Sequence, residues 1–228
     1  MAGTTQDSET FRWRTWSRTE CSKGATPIGH LFTSFGPNET VSTAQLDSLI
    51  SSQVVSLRDW TEKCPHTSWH LGTLRKLDEG SEHSVYLNPT GTHVLKLTFP
   101  NRFGEFYYIA EGRMNERRCT PLEYLTRIRL VGKFFGFSSL ALGITDTNRM
   151  VSIQRFVSGD SATQDEVDSF LSESSFSPVR QNCWLWNTED SVGNHTFKIW
   201  IGDARCDNFV KTPQGLIPIN LRMWITPG

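Results

Sequence analysis

Apolar positions along this chain follow two periods, and the points where one gives way to the other predict its elements. Leu46, Leu49, Ile50 and Val54 recur at helical spacing between Ser42 and Asp59, which predicts a helix there. From Gly80 to Thr98 the text reads GSEHSVYLNPTGTHVLKLT. Two β-prone runs flank Asn88-Pro89-Thr90-Gly91, which has Pro second and Gly last, so the segment predicts a hairpin. A turn centred between Pro89 and Thr90 sets Lys96 opposite His83 and Val94 opposite Val85. All four then share one face, because side chains alternate along a strand.

A second helix is expected over Cys119 to Phe134, where Thr120 caps, Pro121 opens the first turn, and Leu122, Leu125, Ile128 and Val131 form a stripe. Met150 to Val157 reads as a strand that stops at Ser158-Gly159. Thr163 and Glu166 then form a capping box opening a helix with Val167, Phe170 and Leu171 inward. Past a loop with Trp184 and Trp186, a strand at His195 to Ile201 leads into Gly202-Asp203-Ala204-Arg205-Cys206-Asp207-Asn208. A second hairpin, Phe209 to Ile219, turns at Thr212-Pro213-Gln214-Gly215. Strands and helices mixed in this way predict an α+β fold, and no internal period points to a repeat architecture. Residues 1–68, rich in Ser, Thr, Gly and Pro, read as an extension, partly helical or flexible, ahead of a domain over 69–228.

Composition narrows the partners. Among 228 residues, 23 Lys and Arg face 24 Asp and Glu, so no net field exists to hold a phosphate backbone, and nucleic acid is not expected as a partner. No eighteen apolar residues run together, and Met1 to Glu20 lacks the apolar core of a secretion signal; a cytoplasmic protein without a membrane partner is expected. The five cysteines are scattered without a CxxC pair, as suits reduced thiols. Cys64, His66 and His70 have ligand-like spacing, but only the distant Cys21 or His30 completes a zinc set, so no zinc site is expected. Phe11-Arg-Trp-Arg-Thr-Trp16 mixes aromatics with arginines as single-strand binders do but, being short, reads as a docking or disordered tail; Arg113, Arg117 and Arg118 read as a solvated face or, alternatively, a contact for an acidic substrate.

Phosphoryl transfer asks for a lysine on the nucleotide phosphates, an anchor for it, a carboxylate near the accepting hydroxyl, and oxygen ligands for Mg²⁺. The chain supplies candidates in order: the loop Gly80-Ser81-Glu82-His83, Lys96 across the hairpin, Glu123 on the next helix, then Asp203 and Asn208 five residues apart. Glu123 has two readings. Three residues after Thr120 it completes a capping box, and it is also placed to be the salt-bridge partner of Lys96.

Taken in order, GSEHSVYLNPTGTHVLKLT, TPLEYLTRIRL, VSIQRFVSGDSATQDEVDSFL and GDARCDNFVKTPQGLIPIN resemble the protein-kinase-like fold. They are more closely similar to the small kinase domain of polyvalent proteins from phages and conjugative elements, over about Leu71 to Arg222. The resemblance implies a bilobal fold, with an antiparallel β-sheet N-lobe over about 69–157 and a reduced C-lobe over about 158–228. It implies ATP with Mg²⁺ or Mn²⁺ as cofactors. Gly80 and Ser81 would cover the phosphates, Lys96 would grip them, and Val85 and Val94 would line the adenine. Gln154 to Val157, with Phe156, would be the hinge at the adenine edge. Asp203 would orient the acceptor hydroxyl, and Asn208 would hold metal.

Three departures bear on activity. Asn220 stands where kinases carry the metal-binding aspartate, and a neutral amide is a poorer ligand for a hard cation. Ile201 and Gly202 replace the usual His-Arg before the loop aspartate. With eight residues after Asn220 in this sequence, an activation loop of the usual kind is not expected. Two function classes therefore stand side by side: a phosphotransferase acting on protein Ser, Thr or Tyr hydroxyls, with adenylyl transfer as a subtype, or a pseudokinase that binds a nucleotide or a protein without turnover. Residues 1–68 are the expected surface for a protein partner or substrate.

Overall fold

The computed structural model describes residues 10–14, 41–62, 66–110, 113–137, 139–186, 190–192 and 195–227. Cys21, His30, Cys64, Thr15 and Trp16, and with them most of the expectations on the first forty residues, lie outside the described residues. In chain order the elements are β1 (Thr10–Arg14), α1 (Thr43–Glu62), β2 (His66–His70), β3 (Arg75–Glu79), β4 (His83–Leu87), β5 (His93–Thr98), β6 (Glu105–Ala110), β7 (Arg113–Arg118) and α2 (Pro121–Phe135). Then follow β8 (Leu140–Ile144), β9 (Met150–Arg155), β10 (Asp160–Ser161), α3 (Gln164–Glu173), β11 (Phe176–Arg180), β12 (Cys183–Trp186), β13 (Asp190–Val192), β14 (His195–Gly202), β15 (Phe209–Thr212), β16 (Gly215–Pro218) and β17 (Arg222–Pro227). The protein is thus a mixed α+β fold with antiparallel sheets and, among the described residues, three α-helices. No helix among them is long and apolar enough to cross a membrane.

The chain divides into two compact units. The first takes residues 1–105, 117–124 and 140–156, and is built on a five-stranded antiparallel sheet in the order β3-β4-β5-β9-β8. One face of that sheet is the core: Tyr86, Leu95, Leu97, Leu142 and Val151 are buried with Leu71. Removing these side chains from water is the main driving force for this unit. Helix α1 buries Leu46, Ile50 and Val54 and meets β8 at its last turn, where the Thr61 hydroxyl accepts from Ile144 N at 3.2 Å. Gly143 makes that approach possible, since a Cβ there would lie 2.8 Å from Thr61 Cγ2. β1 pairs with β2, Phe11 opposite Trp69, so the run expected as a tail is a strand from Phe11 to Arg14.

The hairpin expected around Asn88 forms, but its register differs by two residues. His83 pairs with Thr98, Val85 with Lys96 and Leu87 with Val94. The turn bond from Gly91 N to Asn88 O is present, yet the Asn88 side-chain oxygen also accepts from Thr92 N and His93 N, and Gly91 sits at φ +70°. This asparagine cap holds two further residues in the loop. A slip of two keeps every side chain on its expected face, where a slip of one would have inverted them.

The second unit takes residues 106–116, 125–139 and 157–228. Its sheet runs β11-β12-β14-β13 with β17 also paired to β14, and a smaller sheet runs β10-β15-β16. Val167 and Leu171 of α3, Leu130 of α2, Trp184, Ile201, Phe209 and Met223 form its core. The capping box of α3 is present as expected: Thr163 Oγ1 accepts from Glu166 N, and Glu166 Oε2 accepts from Thr163 N at 2.9 Å. The second hairpin has the expected two-residue loop, Thr212 pairing with Gly215.

Candidate functional site

In the first unit the candidate residues lie on the sheet face opposite the Leu95 and Leu97 core. Pairing places Lys96 between Val85 on β4 and Ser152 on β9, and Val94 between Leu87 and Gln154. Val85, Val94, Lys96 and Gln154 therefore share one face of three adjacent strands. Gln154 is 4% exposed and its Oε1 has no hydrogen-bond partner. A buried, unmatched acceptor costs free energy until a donor meets it. Phe156 is different: it is exposed, and its backbone N–H donates to Thr92 O at 2.9 Å, so that N–H is not presented to a ligand as the hinge reading expected.

Gly80 and Ser81 belong to the short connection between β3 and β4, and both are exposed. Gly80 N donates to His83 O at 2.9 Å, which closes a tight turn and commits one of the backbone donors expected to cover phosphates. The next residue, Glu82, is buried. A buried carboxylate at that turn opposes an anion, so this loop is a weaker phosphate cradle than the sequence suggested.

Glu123 resolves its two readings. Its carboxylate accepts from Thr120 N at 2.8 Å and is gripped by Arg117 through Nη1 at 2.9 Å and Nη2 at 2.5 Å, while Glu123 N donates to Thr120 Oγ1 at 3.3 Å. It is the helix cap and the partner of Arg117, and the expectation that it anchors Lys96 is corrected. Arg117, expected on a solvated face, is part of this pair. The residue of α2 that reaches the lysine face is its neighbour Tyr124. Its hydroxyl lies 3.0 Å from His83 Nε2 and 3.2 Å from Ser152 Oγ, bridging β4 and β9 across the row that carries Lys96 and Thr98. A buried tyrosine needs such partners for its hydroxyl. Sequence reading missed it because only the fold shows which side of α2 meets the sheet.

In the second unit the loop after β14 is closed by its own ends. Asn208, which is buried, donates from Nδ2 to Asp203 O at 2.7 Å, and Asn208 O accepts from Ile219 N at 2.8 Å. Asp203 adopts φ +57°, a left-handed conformation that a short polar side chain tolerates. Its Oδ1 lies 3.0 Å from Arg205 Nε and its Oδ2 lies 3.8 Å from Arg222 Nε, and Arg222 also donates to the Tyr107 hydroxyl at 2.7 Å. Gln164 at the start of α3 braces the same loop, donating to Ala204 O at 2.9 Å and accepting from Cys206 N at 3.2 Å. Gly202 is explained by packing, since a Cβ there would lie 2.9 Å from the Trp224 ring. Beside the loop opens a cavity of about 540 Å³, lined in part by Gln164, Asp168, Arg180, Trp184, Arg205 and Asp207.

Asn220 follows β16. Its Oδ1 accepts from Arg127 Nη2 at 3.1 Å, and Arg127 Nε donates to Leu221 O at 2.8 Å. Among the described residues no group of three or more His, Cys, Asp or Glu could hold a metal ion. The expected metal pair, Asn208 and Asn220, offers two neutral amides. One has its oxygen engaged by a guanidinium, so the donor set does not fit Mg²⁺ or Mn²⁺.

No family model, curated protein or solved structure matches the chain.

Proposed function

We propose that this chain is a kinase-like nucleotide-binding protein whose ligand is ATP, with the bilobal plan of a sheet-based N-lobe and a reduced C-lobe. The observation that carries the reading is the five-stranded sheet with Lys96 on its central strand and Val85, Val94 and the unmatched Gln154 Oε1 on the same face. Lysine is the strand group that kinases use on nucleotide phosphates. The two valines suit a flat apolar base, and a buried acceptor beside them suits an exocyclic amine. The loop that follows β14, with Asp203 and Asn208 tied to each other, supports the same reading from the second unit.

Of the two function classes, binding without efficient turnover is favoured. Glu123 serves Arg117, and Asn220 serves Arg127, so two of the groups that kinase chemistry needs are committed elsewhere. In the transferring alternative, Asp203 would orient a protein hydroxyl toward the γ-phosphate. The test has two parts. Thermal shift with ATP, ADP and GTP on the parent and on Lys96→Ala reads binding, since a ligand that binds only the folded state raises Tm. A shift that Lys96→Ala abolishes supports the nucleotide site, and no shift at millimolar nucleotide refutes it. Transfer of labelled γ-phosphate to protein, lost in Asp203→Ala, would move the protein into the phosphotransferase class.

A further inference from the structure

We propose that this chain binds its nucleotide without a divalent cation, because the arginine at Asn220 stands where a metal would have to be. The inference rests on the nucleotide reading above. Arg127 is 5% exposed and anchored twice, through Nε to Leu221 O at 2.8 Å and through Nη2 to Asn220 Oδ1 at 3.1 Å. Leu130, one turn further along α2, is in the core of the same unit, which leaves this part of the helix little room to carry the guanidinium away. A magnesium ion bound to Asn220 Oδ1 would sit about 2.1 Å from that oxygen, and so within about 5 Å of a guanidinium that cannot lose its proton. The like charges repel, and a neutral amide does not offset them.

The second amide does not rescue the site. Asn208 uses Nδ2 to close the loop on Asp203 O, and its one side-chain oxygen is neutral. Of the loop carboxylates, Asp203 already lies between Arg205 and Arg222, and Asp207 pairs with Arg205 at 3.2 Å. Each oxygen in this unit that would bind a metal in a kinase therefore has a guanidinium or a peptide group committed to it, apart from Asn208 Oδ1. A single neutral oxygen does not recruit a cation that prefers six charged or strongly polar ligands.

The experiment is ATP titration of the intact chain by calorimetry, with thermal shift in parallel, in EDTA and in excess Mg²⁺ or Mn²⁺. The expected result is an affinity in excess Mg²⁺ or Mn²⁺ that is equal to or lower than that in EDTA, since excess metal turns the free nucleotide into its metal complex. A tenfold or greater gain with either metal overturns the inference while leaving the nucleotide reading in place. Absence of binding under every condition overturns that reading, and this inference with it. Two variants test the cause. Asn220→Asp, whose new carboxylate would pair with Arg127, should raise Tm and still show no gain in affinity with metal. Arg127→Gln combined with Asn220→Asp should gain at least tenfold in affinity with Mg²⁺. If Asn220→Asp alone gains that dependence, Arg127 does not block the metal; should the double variant fail to fold, the titration of the parent chain still decides the matter.

Discussion

Replacing Glu123 with Ala separates its two sequence readings. In the structure the carboxylate does two jobs, both local: it satisfies Thr120 N at the start of α2 and it holds Arg117 in a two-pronged pair. Loss of the capping interaction costs about 1 kcal/mol. The pair has side chains 17% and 24% exposed, between the surface and buried limits, and contributes about 0.5–1 kcal/mol after solvent screening. Alanine returns a few tenths of a kcal/mol through its higher helix propensity. The net loss is about 1–2 kcal/mol, which for a chain of this size lowers Tm by about 3–6 °C. Nucleotide affinity should survive, because the lysine face is met by Tyr124. The deciding assay is a pair of double-mutant cycles in urea. Glu123 with Arg117 should show a coupling near 1 kcal/mol, and Glu123 with Lys96 a coupling within about 0.3 kcal/mol of zero. A Lys96 coupling above 1 kcal/mol, or a nucleotide shift abolished in Glu123→Ala, would refute this assignment.

Gly202→Ala should lower stability by about 1–3 kcal/mol, because the added methyl meets the Trp224 ring at 2.9 and 3.2 Å in a packed layer, whereas Gly80→Ala, whose Cβ meets nothing closer than 4.0 Å, should leave Tm within about 1 °C; equal Tm values for the two variants would contradict the packing. Acid stability carries a second signature. The hydrogen bond from Lys211, followed by that from Thr163 N, lowers the Glu166 carboxyl from 4.5 to about 2. A depressed carboxyl adds stability that is present above its unfolded value and lost as pH falls through the folded one, so Tm should decline more steeply between pH 4.5 and 2 in the parent than in Glu166→Gln. Identical slopes would remove this pair from the account.

The elements most legible in the sequence were those in which local chemistry agrees with tertiary burial. Thr163 and Glu166 announce α3, and Thr212-Pro213-Gln214-Gly215 announces its hairpin, because cap and turn bonds are made by residues within reach of one another. Edge strands were hidden. Every residue of β3, Arg75–Glu79, is exposed, and β7 reads RMNERR, so neither shows the alternation that marks a half-buried strand. The register around Asn88 was misread because a side-chain cap, invisible in turn propensity, enlarged the loop. At the candidate site, the face shared by Val85, Val94 and Lys96 could be read from parity alone, since a shift of two leaves it intact. The partners could not: Arg117 lies six residues from Glu123, Arg127 lies 93 from Asn220, and Tyr107 lies 115 from Arg222. Only the folded chain brings such pairs together, and no period or motif encodes them.

Those partners share one chemistry. Glu123 is held by Arg117, Asn220 by Arg127, and Asp203 lies against Arg205 and, at 3.8 Å, Arg222. Arginine keeps its charge at any pH the protein meets, and its planar fork fixes the geometry of the group it binds. An acidic or amide side chain clamped in this way is costly to redirect, because releasing it leaves a guanidinium to be satisfied again, and where that guanidinium is buried, as with Arg127, the cost is greatest. What counts against turnover is the partner and not the rigidity: an oxygen engaged by a guanidinium is withdrawn from a metal or substrate until that pair opens. Gln154 is placed differently: on the β-face that carries Lys96, its buried side-chain oxygen has no hydrogen-bond partner. The unmatched Gln154 oxygen keeps its capacity for a donor, while Glu123, Asn220 and Asp203 are engaged by arginines, and the proposal of binding over turnover rests on that asymmetry.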